Sequence, residues 1–400
     1  TGDAFDIDYV AHEMGHQFGG YHTQSSSNCI SGSGTTEVEP GSGSTVMGYA
    51  GICPSNVQNN SDAYFHYVSI RDITNNVKNG VSSSCAQITT FSNIAPVINP
   101  IPDYVIPIST PFVLTGSATD TDGDILNYTW EQNDPENYNL ATASAPTEFK
   151  ASGPLFRSTA GTTNPSRFFP NKNTILSGQT ANTWEVLPGL SRVMNFSLTV
   201  RDNVAGGAQT ATDEMKVTVS DLAGPFAITS QNAFVSYAAG TNQIVNWNVA
   251  ATNVAPVNTR FVDIYLSTDN GASFPVLLAS KVPNDGSETV TIPNLIGSTN
   301  RIMVKGYDNI FFDISNTAFA ITAPSSSFAL AFSGIEGEQN KAVCKGTTLT
   351  YTMPFSTYGG FNSETTFTAI NLPAGITASF APAAATSNTN VILTLTVSTN

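Results

Sequence analysis

The sequence predicts a multidomain chain in which a mainly helical N-terminal segment is followed by all-β sandwich domains. Three observations predict it. Apolar residues recur at helical spacing over residues 5–18 and again over 61–80, whereas from residue 94 onward strict alternation takes over. Turn residues break the alternating runs at short intervals, as sandwiches require. Charged residues are only 11% of the 400 while Ser, Thr, Asn and Gly abound, an extracellular β-rich composition. The length suits about two to four domains, each able to bury its own core.

The first expected helix covers residues 5–18, with Phe5, Val10, Met14 and Phe18 as its buried side. Asp6 and Asp8 sit where a helix N-terminus favours negative charge. Within it lies His12-Glu13-Met-Gly-His16, and three of the four histidines of the chain fall between positions 12 and 22. Positions i and i+4 stack on one face, so His12 and His16 aim their imidazoles at a common point. Glu13 stands beside the first of them. Gly19 can take the positive φ that turns the chain out of the helix, and this brings His22 back as a third ligand. Three imidazoles with one open position describe a catalytic Zn²⁺, whereas four closed ligands would describe a structural one. A His-Glu-x-x-His run alone also arises by chance; Gly19 and His22 add the specificity.

With these residues the sequence resembles the metzincin clan of zinc endopeptidases, whose signature is His-Glu-x-x-His-x-x-Gly-x-x-His followed by a Met-turn. Ser44-Thr-Val-Met47-Gly-Tyr49 fits that turn. The resemblance implies hydrolysis of peptide bonds in protein substrates. It implies Glu13 as general base, and Met47 as an apolar floor under the three imidazoles. Tyr49, two places after Met47, has the spacing of a fifth ligand that swings away to stabilise the oxyanion; a packed tyrosine is the structural alternative. Thr23, directly after His22, departs from the acidic residue of animal reprolysins and astacins, and is more similar to that of pappalysin-type and bacterial reprolysin-like enzymes. The clan's upper lobe, whose sheet edge pairs with substrate, is expected before Thr1. The resemblance covers residues 3 to about 85, within an N-terminal domain at 1–92.

Residues 23–46 are rich in Ser, Gly and Thr and read as a long loop, which in a compact domain is functional or pinned. Ser61-Asp62 is expected to open a second helix, with Phe65, Val68, Ile73 and Val77 on one face and Gly80 closing it. His66 falls inside that helix without a ligand partner and reads as packed or solvated. Of the cysteines, Cys29, Cys53 and Cys85 cluster in the first 90 residues and Cys344 stands apart. No Cys-x-x-Cys pair exists, which favours a disulfide in an oxidising compartment over a thiolate metal site. Cys29–Cys53 would bracket the Met-turn segment; Cys53–Cys85 is the alternative.

Three β units are expected downstream, at 93–222, 223–323 and 324–400. In the first, strands are expected at 112–117, 125–131, 195–201 and 214–220, with a weakly patterned insertion between Asn133 and Leu190. In the second they are expected at 226–230, 243–248, 260–267, 288–292, 301–308 and 318–322. The third is expected to be cut short. These units resemble immunoglobulin- and fibronectin-like sandwiches. Asp120-Thr-Asp122-Gly-Asp124 resembles the hairpin of cadherin-like sandwiches, whose carboxylates hold Ca²⁺; the alternative is an ordinary turn using Asp and Gly for local hydrogen bonds. It fails as an EF-hand, because Ile125 stands where Gly is needed. Ser267-Thr-Asp269-Asn-Gly271 resembles an Asp-box, a structural hairpin to which no chemistry is assigned.

A net charge of −15 repels phosphate backbones and anionic lipid, which argues against nucleic-acid binding. No apolar run approaches the roughly 20 residues of a membrane span. The expected function is therefore a secreted or cell-surface zinc endopeptidase, with a sandwich tail that docks on a cell surface, protein or glycan. The alternative is an adhesion array with an inactive peptidase-like cap.

Overall fold

The structure, a computed structural model, describes residues 3–26, 29, 34–84, 87–136, 145–323, 327–332 and 341–399. It is mostly β, and it divides into two compact units: Thr1–Pro225 with Asn309–Phe311, and Phe226–Asp308 with Phe312–Asn400.

The first unit opens on a continuous helical stretch. A short α-turn, Asp3–Phe5, widens into a π-helix over Asp6–Ala11 and tightens to α over His12–Gln17. Its expected buried side is not buried: Phe5, Val10, Met14 and Phe18 are each 42–53% exposed. The face that this chain does cover carries His12 and Gly15. Periodicity marks a helix face as apolar but does not say which element covers it. Here Met47 and Phe65 press on Gly15 instead, while Met14 and Phe18 line an open groove of about 290 Å³ with Phe65, Ile70 and Ile73.

The second helix runs Tyr67–Asn79, starting later than Ser61. Residues 61–64 are instead tied by backbone hydrogen bonds to residues 44–46: Asp62 N–H donates to Ser44 O, and Val46 N–H to Tyr64 O. His66, wholly buried, caps this helix by accepting the Val68 N–H at Nδ1. Gly80 closes it as expected.

The rest of this unit is a sandwich. Its larger sheet orders the strands Tyr104–Pro107, Thr210–Ser220, Arg192–Arg201 and Asn127–Gln132, with the first pair parallel and the others antiparallel. A two-stranded sheet, Phe112–Thr115 with Ser166–Phe169, faces it. Between them Phe112 stacks on Phe169 at 4.9 Å, and both rings meet Phe196. Phe156 and Phe169 come from the stretch expected to be a weakly patterned insertion, yet both are fully buried and build this core.

The second unit holds a three-stranded sheet, Ala227–Ile228, Asn242–Asn248 and Ser287–Thr291, and a larger one built on Phe261–Ser267 and Gly297–Gly306. Val276–Pro283 pairs beside Phe261–Ser267, a strand unrecognised in the sequence because prolines bound it. A further four-stranded sheet joins Ser327–Leu330, Thr348–Tyr358, Thr389–Val397 and Ile376–Ala381.

Candidate metal centre

The motif helix ends in a turn that the sequence builds from two glycines. Gly19 takes φ +94°, and Gly20 N–H donates back to Gly15 O at 2.8 Å. Asn76 of the second helix donates to Phe18 O, so the freed carbonyl at the helix end is satisfied. The turn returns the chain alongside the helix, and His22 meets His12 and His16.

Their Nε2 atoms converge: His16 Nε2 lies 3.1 Å from that of His12 and 3.0 Å from that of His22. Behind them, His12 Nδ1 is 2.7 Å from Val46 O and His16 Nδ1 is 2.8 Å from Gly20 O. A carbonyl oxygen only accepts, so in both rings the proton is at Nδ1 and the lone pair at Nε2. Lone pairs that face one another at this range repel unless they share a cation. A tetrahedral ion about 2.0–2.1 Å from each nitrogen would set the nitrogens roughly 3.3 Å apart, close to the observed spacing. The donor set therefore fits zinc.

Burial holds the His12 imidazolium below its ordinary value, and His16 adds to this, while the Val46 carbonyl and Glu13 oppose it. His22 is held down to about 4, first by burial and then by the two facing rings. Glu13 is exposed beside His12. Tyr49 lies with its ring 4.4 Å from that of His22 and 5.6 Å from that of His12. Burial pushes its phenol up, and the Glu13 carboxylate adds to the shift. Met47 is fully buried against Gly15.

The loop after His22 is unusual for its burial. Every residue from Thr36 to Gly48 is buried, and Gln24 and Glu39 form a parallel bridge. Cys29 and Cys53 are disulfide-bonded across it, with Cα atoms 5.7 Å apart; Cys85 lies outside the described residues. Glu39 and the Val46 carbonyl were not singled out in the sequence. The only local hint was a pair of acids, Glu37 and Glu39, in a stretch otherwise without charge.

Far from these rings, Asp120, Asp122 and Asp124 place carboxylate oxygens within 4.8 Å of one another. Asp120 Oδ1 accepts the N–H groups of Asp122, Gly123 and Asp124, the hydrogen bonds of a tight turn. Asp269 similarly accepts from Ser267 and Ser273, which accounts for the hairpin there without chemistry.

Residues 1–77 match the family profile described as metallo-peptidase family M12B, reprolysin-like. No curated protein matches the chain. Among solved structures, the chain is similar to SGBP-B of the Bacteroides ovatus mixed-linkage glucan utilization locus in complex with a mixed-linkage heptasaccharide, at 14% identity and TM-score 0.17. That overlay covers 76% of this chain and 62% of the other, so the chain spans about three-fifths of that protein. Drosophila N-cadherin EC1-4 aligns at 8% identity and TM-score 0.20, covering 76% of each chain. Chicken CNTN1 FN1-FN3 aligns at 10% identity and TM-score 0.18, covering 76% of this chain and 88% of the other. Overlays this loose carry no functional argument.

Proposed function

We propose that the chain carries a zinc-dependent endopeptidase centre of metzincin type, close to bacterial reprolysin-like enzymes, in which His12, His16 and His22 hold the ion. The convergence of three Nε2 atoms, two of them fixed as lone-pair donors by carbonyls behind the rings, carries this reading. Zinc, when bound, supplies Lewis acidity that polarises a peptide carbonyl and acidifies water. Glu13 takes the proton from the attacking water and delivers it to the amine that leaves as the C–N bond breaks. Tyr49, whose ring packs on those of His22 and His12, donates its hydroxyl hydrogen to the developing oxyanion in this reading. Met47 gives the rings an apolar floor.

The Cys29–Cys53 bond supports an oxidising compartment, and with it a secreted or cell-surface protein. The sandwich domains then serve as a tail that docks on protein, glycan or a cell surface. An adhesion array with a dead cap is the competing reading; the presence of Glu13 beside the ligand set speaks against it. Calcium at Asp120, Asp122 and Asp124 has the convergence of carboxylates in its favour, against the three backbone hydrogen bonds of the turn. A calcium titration followed by thermal melting separates the two, a rise in Tm abolished by Asp122→Asn favouring the ion. Among the described residues no helix is long and apolar enough to cross a membrane.

The test of the main reading is hydrolysis of a fluorogenic peptide library by the zinc-loaded chain, with Glu13→Ala as control. Zinc-dependent cleavage lost in Glu13→Ala supports it. Cleavage that persists in Glu13→Ala sinks the mechanism.

A further inference from the structure

We infer that Glu39 is the positioning residue of the metal centre, a single buried carboxylate that fixes two of the three histidines and the Met-turn in register. The inference rests on the zinc reading above and concerns what holds the ligands in place.

Glu39 is fully buried, and among the described residues it forms no ion pair. A buried carboxylate is costly unless hydrogen bonds compensate it. Here both oxygens are saturated. Oε2 accepts from the hydroxyls of Thr23 at 2.6 Å and Thr45 at 2.5 Å. Oε1 accepts from the backbone N–H of Ser44 at 2.9 Å, that of Thr45 at 3.2 Å, and the Ser44 hydroxyl at 3.2 Å. The main chain of Glu39 repeats the tie, donating to Thr23 O and accepting from Ser25 N–H, each at 2.9 Å.

What these partners carry gives the contact its meaning. Thr23 directly follows His22, and its N–H donates to Met47 O at 3.0 Å. Ser44 and Thr45 directly precede Val46, whose carbonyl takes the His12 Nδ1–H, and then Met47. One side chain thus sets the third ligand through Thr23, and the first through the turn that presents the Val46 carbonyl. A carboxylate that merely braced a glycine-rich loop would need none of these links to ligands.

Outer partners that orient metal ligands change metal affinity by about 10–100-fold when removed. The test uses the full chain as wild type, Glu39→Gln and Thr23→Val. Glu39→Gln keeps the shape and removes the charge, with an NH₂ that cannot accept from the hydroxyls. Thr23→Val removes one hydroxyl at nearly constant volume and decides the matter alone if Glu39→Gln does not fold. Zinc affinity is read by chelator competition, and ligand geometry by the visible spectrum of the Co²⁺-substituted chain. The expected result is zinc binding weakened about 10–100-fold in Glu39→Gln and several-fold in Thr23→Val, each with an altered Co²⁺ spectrum. Wild-type zinc binding with unchanged affinity and Co²⁺ spectrum in the folded variants, whatever happens to Tm, overturns the inference and leaves the zinc reading standing. A wild-type chain that binds no zinc overturns both.

Discussion

Gly15 and Met47 are packed so closely that a Cβ at position 15 would lie 2.3 Å from the Met47 sulfur and 3.1 Å from the Phe65 ring. The motif helix therefore has no room for any side chain at the one position facing its floor. Gly15→Ala would gain about 1 kcal/mol of helix propensity but overpack a buried contact, which typically costs about 1–3 kcal/mol. We expect the overpacking to win. Thermal melting should show a lower Tm for Gly15→Ala, together with weaker zinc binding because the helix lifts from Met47. An unchanged Tm and unchanged zinc affinity would mean that the contact is slack.

Tyr49→Phe separates the two roles of that residue. The ring contacts with His22 and His12 survive the change, so zinc content and KM should hold. Loss of the hydroxyl should lower kcat about 100–1,000-fold on a cleaved peptide, in the range of a lost oxyanion donor. Equal kcat in the variant would make Tyr49 a packing residue.

Glu131 couples the second helix to the first sandwich. It is fully buried, and its Oε2 accepts the Tyr67 N–H at 2.8 Å, at the start of the helix. Glu131→Ala strands that N–H and opens a cavity, and urea unfolding should report a loss of about 2–3 kcal/mol. The Ser44 hydroxyl also reaches Ser158 O in the sandwich at 3.1 Å. Zinc affinity should therefore fall as well in a chain ended at residue 92, measured by chelator competition.

Asp313 supplies a pH dependence in the second unit. Burial pushes its carboxyl up to about 7, and N–H donors from Ile228 and Ile314 offset only part of that. The folded state thus holds a proton that the unfolded state releases near its ordinary value. Stability from this group is full below about pH 4, falls as pH rises toward about 7, and stays low above. Asp313→Asn should accordingly raise the melting point of this unit at pH 8 and change it little at pH 4. A variant equally shifted at both pH values would contradict the assignment.

The clustering of the three histidines was legible because helical periodicity is a local property. His12, His16, Gly19 and His22 lie within eleven positions, and a four-residue spacing fixes a shared face whatever surrounds it. Glu39 was not legible, since its meaning depends on the hydroxyl of Thr23 and the amides of Ser44 and Thr45 meeting it in space. The same limit explains Phe156 and Phe169, whose surroundings carry little alternation yet fill the sandwich core around Phe112. It also explains Met14 and Phe18, whose spacing correctly predicted a helix but not a partner for that face. Strands with long alternating runs, such as Thr210–Ser220, were placed to within a few residues, because one face is buried along their final turns of the pattern.

The central claim is that His12, His16 and His22 form one zinc site. The most direct measurement is the metal content of the purified full chain after zinc loading and dialysis, compared with His16→Ala and Glu13→Ala. About one zinc per chain is expected in the wild type, none in His16→Ala, and full occupancy in Glu13→Ala, since Glu13 is no ligand. A wild-type chain without zinc, or a His16→Ala chain that retains it, would rule out a three-histidine zinc site.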